Sequence, residues 1–247
     1  MNIKAEIMGR KAYNLHLKGN AYLEKKMFRE AEEKHAEALK AYEEAEAAGD
    51  QDPKRLMARG VLLMRAKEYD KAREAMLRVE KVPGLGREMK KQLRLNYAVC
   101  LWKMGQLDRA IELMRQTSAD GAMNSMIYGS LGYMLIEKAR ETGDFTEAQE
   151  FNQKAYEYDD EDAVVLDNLG QMHLAMGNRA EAFDYFKRAH ERKPTQVDTL
   201  YYLAKLYSED GEKETAVKML ERALSQTYSA LCTTTREQAQ ALLEEIR

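Results

Sequence analysis

Residues 163–196 read AVVLDNLGQMHLAMGNRAEAFDYFKRAHERKPTQ, and residues 197–230 repeat their pattern. Leu166, Leu169, Gly177, Ala182 and Ala189 return 34 positions later as leucine, leucine, glycine, alanine and alanine. A fixed period of this size is typical of stacked repeats. Both stretches are rich in good helix formers and lack the alternating pattern of a strand, so the repeating element is predicted to be helical.

The same pattern extends to six copies when the sequence is aligned on the alanine that opens the second helix of each repeat. The predicted fold is all-α, a single solenoid domain over residues 1–247 with about six helix-turn-helix repeats. A final helix over about 235–247 is predicted to cap the stack, with Thr234 and Glu237 as its capping box. The approximate repeats are 12–45, 53–86, 91–124, 125–162, 163–196 and 197–230.

Two departures from the 34-residue spacing carry structural predictions. About seven extra residues follow the first repeat around Gly49 and Asp50, and we assign them to the turn between helices, where added length costs little. About four extra residues in the fourth repeat fall within MLIEKARET, which has no helix breaker, so they should add one turn to its first helix.

A small residue stands at the eighth position of every repeat and allows two helices to approach closely: Gly19, Gly60, Ala98, Gly132, Gly170 and Ala204. With these positions the pattern resembles the tetratricopeptide repeat, W-x2-L-G-x2-Y followed by spaced Ala, Phe and Pro. The fifth repeat matches best, through Leu166, Leu169, Gly170, Gly177, Ala182, Phe186, Ala189 and Pro194. The resemblance implies antiparallel helix pairs in a right-handed superhelix whose first helices line a concave, protein-binding face.

Composition favours a soluble, cytoplasmic protein. The net charge is −3, and no apolar run is long enough to cross a membrane. The two cysteines, Cys100 and Cys232, lie far apart without metal-type spacing, which suits a reducing compartment. The sequence is equally compatible with an N-terminal anchor that has been removed.

No pattern of catalytic or metal-binding residues is present, so we predict no enzyme activity, no metal and no cofactor. His35 and His173 occupy packing positions, whereas His16 faces the predicted groove. The acidic run 159–162 lacks the spacing of a calcium loop, and its charges suit the helix N-terminus that follows.

The predicted concave face changes character along the chain. In repeats two to four it combines methionine and other apolar residues with basic ones and the only tryptophan, a combination typical of adaptable helix-binding grooves. The candidate groove residues are Met57, Val61, Met64, Arg65, Leu95, Val99, Trp102, Lys103, Met126 and Tyr133. The alternative, that the apolar members only pack between first helices, stays open at this point.

Charge is distributed unevenly, with 25 basic and 19 acidic residues in 1–124 and 14 and 23 in 125–247. An apolar and acidic partner segment would suit the N-terminal half, and nucleic acid is disfavoured. The clamp by which some tetratricopeptide co-chaperones hold an acidic tail is largely missing, because only Asn20 matches it. Asn20, Asn96 and Asn168 are candidate contacts to a peptide backbone.

The sequence thus favours a non-catalytic scaffold or adaptor that binds a partner peptide or helix in its groove. Two alternatives remain: a self-associating structural module, and a regulatory receptor for a small peptide.

Overall fold

The described part of the chain is helical throughout. A computed structural model describes residues 2–119 and 124–247, and these ranges contain thirteen α-helices and no strand. The end of the third predicted repeat, residues 120–123, lies outside the described residues. The helices belong to two compact parts, residues 1–106 and 107–247.

The N-terminal part holds the first five helices: α1 (Ile3–Glu24), α2 (Phe28–Ala47), α3 (Pro53–Arg65), α4 (Tyr69–Glu80) and α5 (Arg87–Lys103). The C-terminal part holds the other eight: α6 (Leu107–Ala119), α7 (Ser125–Thr142), α8 (Thr146–Tyr158), α9 (Ala163–Ala175), α10 (Arg179–Arg192), α11 (Val197–Glu209), α12 (Lys213–Leu224) and α13 (Arg236–Ile246).

Helices pair with their neighbours in sequence, and first helices also contact first helices. In the N-terminal part α1 packs on α2, α3 packs on α4, and α3 contacts both α1 and α5. In the C-terminal part α7, α9 and α11 each pack on the following helix, and α9 contacts both α7 and α11. This arrangement confirms the predicted all-α solenoid of helix pairs followed by a capping helix.

Side-chain caps fix where several first helices begin. The carboxylate of Asp52 accepts a hydrogen bond from the backbone N–H of Arg55 at the start of α3, and Asp162 accepts two at the start of α9. Asn124 caps α7 in the same way. Each cap satisfies backbone donors that have no partner within the helix.

The extra residues after the first repeat lengthen a helix, so their predicted placement in the turn is wrong. The second helix α2 spans 20 residues, whereas α4 and α12 span 12. Residues 41–47, AYEEAEA, contain only residues compatible with a helix, and the chain first leaves helical geometry near Gly49, whose φ is +97°. Helix propensity therefore extends α2 up to the glycine.

The prediction for the fourth repeat is confirmed. Helix α7 spans 18 residues, compared with 13 in α9 and in α11. It ends at Thr142, and the next residue, Gly143, adopts the left-handed conformation of a helix C-cap.

The small residue at the eighth position has the packing role that the sequence suggested. A Cβ atom built on Gly170 would lie 2.7 Å from ring atoms of Phe186. Phe186 is fully buried in a cluster with Ala182, Leu203 and Leu206. The ring thus lies directly against the backbone of α9, which a larger side chain would prevent.

The C-terminal end of the stack is closed by α13. Ala239, Leu243 and Ile246 of this helix are buried against Ala204 and Leu220. Its capping box is formed by Thr235 and Gln238, one residue later than the predicted pair. Thr234 is instead buried, and its hydroxyl donates to Asp198 over 2.6 Å.

Candidate functional site

The first helices of the N-terminal part lie side by side and carry most of the predicted groove residues. The residues on α3 are Met57, Val61, Met64 and Arg65, and those on α5 are Leu95, Val99, Trp102 and Lys103. The other two, Met126 and Tyr133, lie on α7 in the C-terminal part.

Burial separates the groove residues of the N-terminal part into two groups. Met57, Met64, Leu95 and Val99 are buried and contribute to packing between helices. The partly exposed residues at this surface are Asn20, Val61, Arg65, Trp102 and Lys103, and we call these five residues the N-terminal strip.

A hydrogen bond connects two members of the N-terminal strip on different helices. The Nη1 group of Arg65 donates to Oδ1 of Asn20 over 3.1 Å. Burial lowers the pKa of Arg65. Among the described residues no carboxylate forms an ion pair with its guanidinium, so a partly buried positive charge has only an amide oxygen as partner.

The same amide oxygen of Asn20 is also close to a ring nitrogen, because Nε2 of His35 lies 3.1 Å away. Within the described ranges the Nδ2 group of Asn20 has no acceptor. Asn20 therefore faces Arg65 and His35 with its oxygen and retains two hydrogen-bond donors.

His16 lies in the core, so its predicted place in the groove is wrong. Its Nδ1 atom is 3.3 Å from the hydroxyl of Tyr42, and its ring meets that of His35 edge to face. Burial lowers the pKa of both histidines to about 4, and the charge of Arg65 contributes further. Both are buried packing residues that are neutral near pH 7.

An aromatic ring and a basic group lie together at the end of α5. The Nζ atom of Lys103 lies 3.7 Å from the centre of the Trp102 ring system. A cation over an indole ring is attracted by its π electrons. The strip thus combines a large apolar surface on α5 with positive charge on both α3 and α5.

The remaining predicted site residues differ in accessibility. Met126 is 49% exposed, whereas Tyr133 is buried and burial raises the pKa of its hydroxyl. Asn168 is also buried, and its Nδ2 group donates to the carbonyl of Gly129 over 2.8 Å. Its amide joins α9 to α7, so we do not include it among residues available to a peptide. Asn96 remains partly exposed.

A buried polar cluster in the C-terminal part was missed by sequence reasoning. Thr199 and Gln171 donate to the two carboxylate oxygens of Asp167 over 2.6 and 2.7 Å. Asp198 accepts from the backbone N–H groups of Thr233 and Thr234. The signal was present, since Asp167 and Thr199 are polar residues at positions that stacking buries.

The cluster places two carboxylates in a buried region. Burial raises the pKa of Asp167 well above its usual range, and the charge of Asp198 raises this pKa further. The described residues include no group of three or more histidine, cysteine or acidic side chains able to hold a metal ion. The contacts of this cluster join α9, α11 and the segment before α13. The role of the cluster is therefore structural.

None of the helices within the described ranges is both long and apolar enough to span a bilayer.

Two family profiles, both described as tetratricopeptide repeat, match residues 18–85 and 163–227, which together are more than half of the chain. No curated protein matches the sequence.

Among solved structures, similarity extends to a thermophilic tetratricopeptide repeat protein of Thermus thermophilus, with a TM-score of 0.61 and 18% identity over 79% of this chain and 98% of that one. PilW, a type IV pilus biogenesis factor, has a TM-score of 0.59 and 16% identity over 91% of this chain and 98% of its own. A chain of the APC/C hetero-tetramer Cut9-Hcn1 also scores 0.59, with 15% identity over 98% of this chain and 45% of that one. At these identities the similarity shows the fold alone.

Proposed function

Since the chain belongs to the tetratricopeptide repeat family, whose members are generally non-catalytic scaffolds, we propose that it is a scaffold that binds a protein segment on the N-terminal strip. The partner segment is apolar and acidic. A carboxylate pairs with Arg65, and an apolar side chain packs on Trp102.

The observation that carries this proposal is the contact between Arg65 and Asn20. A partly buried guanidinium without a described carboxylate partner is costly, and an incoming carboxylate would accept two parallel hydrogen bonds from it. Asn20 can donate to the same carboxylate or to a backbone carbonyl of the segment through Nδ2. Residues from α1 and α3 would thus bind one acidic group.

Trp102 supplies the apolar part of the site. Fully burying a large apolar side chain contributes roughly 1.5–3 kcal/mol, and tryptophan is frequent among the few residues that dominate interface energies. Val61 and the Lys103 stem extend this surface. Asn96, partly exposed on α5, remains a candidate contact of lower weight, whereas Met126 and Tyr133 lie on α7 in the other compact part and are not included.

A displayed peptide library selected against the full chain tests the proposal. Selected sequences should pair an acidic residue with nearby apolar residues, and Trp102→Ala should weaken their binding about tenfold or more. Tyr158→Ala is the matched control, because this exposed aromatic residue lies in the C-terminal part, outside the strip. Equal affinity for wild type and Trp102→Ala would show that the strip is not the binding site.

A further inference from the structure

The outward face of α1 is exposed and carries three large apolar side chains. Ile3, Ile7 and Leu17 are 72%, 64% and 47% exposed. Helical periodicity places these three side chains on one stripe, opposite the buried residues Ala5 and Ala12. The same stripe carries Arg10, whose guanidinium pairs with Glu6 one turn earlier on α1. We call the surface along this stripe the α1 outer face.

The repeat register shows what kind of surface this is. In the five later repeats the third position is always buried, as Arg55, Leu93, Ile127, Val165 and Thr199. The tenth position is buried in the same five repeats, as Leu62, Cys100, Met134, Met172 and Leu206. The equivalent residues of the first repeat, Asn14 and Ala21, are exposed on the α1 outer face. The third and tenth positions, which are buried in the later repeats, are therefore exposed on α1.

A row of lysines borders the stripe. Lys4, Lys11 and Lys18 are spaced by seven residues and all are exposed. Residues seven apart drift by only about 20° around a helix, so the three charges form a line along one side of the stripe. In the described residues no carboxylate forms an ion pair with any of them. The flank of this apolar surface is thus positively charged and lacks counter-charge.

The lysine row and the polar surface of α13 argue against a second copy of the chain as the occupant. Two α1 outer faces packed together would bring two lysine rows close to each other, and like charges in such contacts are unfavourable. The capping helix of the C-terminal part, α13, has Glu237, Gln240 and Glu244 exposed on its surface. A polar capping face of this kind blocks further stacking.

Asn14, which lies within the stripe, favours a protein helix over a lipid surface. At the third position Arg55 donates to Glu6 on α1 over 2.7 Å, and Thr199 donates to Asp167 on α9. Polar groups at this register position therefore bond to the neighbouring first helix. Asn14 could do the same with a docked helix, whereas acyl chains would offer it no partner.

We propose that the α1 outer face docks an amphipathic, acidic helix of a partner protein. Apolar residues of that helix pack on Ile3, Ile7 and Leu17, and its Asp or Glu side chains pair with the lysine row. This surface is separate from the N-terminal strip and does not depend on it.

The probe for this proposal is a synthetic helix of about three heptads with leucine at a and d and glutamate at e and g, a pattern whose like charges keep it from pairing with itself. Its affinity for the full chain is measured by fluorescence anisotropy. The variant Lys4→Glu/Lys11→Glu/Lys18→Glu should bind about tenfold more weakly or worse. This triple variant should instead bind a second probe helix, which carries lysine in place of glutamate at e and g.

A control variant, Lys154→Glu/Lys193→Glu/Lys218→Glu, makes the same change in net charge at exposed lysines of the C-terminal part. It should bind the acidic helix as tightly as wild type does. Trp102→Ala should also bind the helix like wild type, which would show that this surface is separate from the N-terminal strip.

The proposal would be overturned by no saturable binding of the acidic helix, by equal weakening in both triple variants, or by binding to phosphatidylserine vesicles without binding to the helix. Dimerisation that is lost in Ile7→Ser/Leu17→Ser would assign the face to a second copy and would also overturn it.

Discussion

Thr199 donates its hydroxyl hydrogen to Oδ1 of Asp167 over 2.6 Å, and both residues are buried. The bond connects the first helix of the last repeat to the first helix of the repeat before it. Stacking in the C-terminal part therefore includes a polar contact as well as apolar ones.

Replacing Thr199 with valine should destabilise the protein, because the shape is kept while a buried carboxylate oxygen loses its donor. The expected loss in the free energy of unfolding is about 1–3 kcal/mol. Urea unfolding followed by circular dichroism measures it. Thr215→Val is the matched control, since the Thr215 hydroxyl makes only an exposed, 3.4 Å contact with Glu212. Similar losses for both variants would contradict a special role for the Thr199 bond.

Two glycines at the eighth position should respond oppositely to alanine. In Gly170→Ala the new Cβ would collide with the Phe186 ring, and overpacking should cost about 1–3 kcal/mol. In Gly60→Ala the nearest atom, on Met76, is 3.4 Å away, an ordinary contact. Helix propensity should then stabilise Gly60→Ala by about 0.5–1 kcal/mol. Thermal unfolding of both variants checks the signs, and a stabilised Gly170→Ala would disprove the close approach of ring and backbone.

Acidification should destabilise the protein through His16 and His35. Their folded pKa of about 4 lies below the usual value of 6.5. The neutral rings therefore stabilise the fold fully above about pH 6.5, and that stability is lost as the pH falls toward 4. The variant His16→Phe removes one titrating ring, so its free energy of unfolding should fall less than that of wild type between pH 6.5 and 5. Parallel pH dependences would show that His16 does not contribute.

The repeat period could be predicted from sequence because it depends on the spacing of small and apolar residues. The lengthened α7 followed from the same logic, since MLIEKARET has no breaker. For α2, the sequence predicts that the extra residues lie in the turn near Gly49, because glycine signals a turn. In the structure the helix-forming residues before that glycine continue α2 instead.

The candidate site was less predictable, because register identifies which face a residue lies on but not how much of it neighbouring helices cover. Met57 and Val99 share the predicted face with Trp102, yet the structure buries them. The contact between Arg65 and Asn20 joins residues 45 positions apart. Only the three-dimensional packing of α1 and α3 brings these two side chains together.

Trp102 is the only tryptophan, so its fluorescence reports directly on the N-terminal strip. The decisive measurement is its emission spectrum while the full chain is titrated with a peptide from the library selection. Burial of the ring by a bound segment predicts a saturable shift of the emission to shorter wavelength, absent when a scrambled peptide is added. An unchanged spectrum at saturating peptide would contradict the proposal that the strip binds the partner.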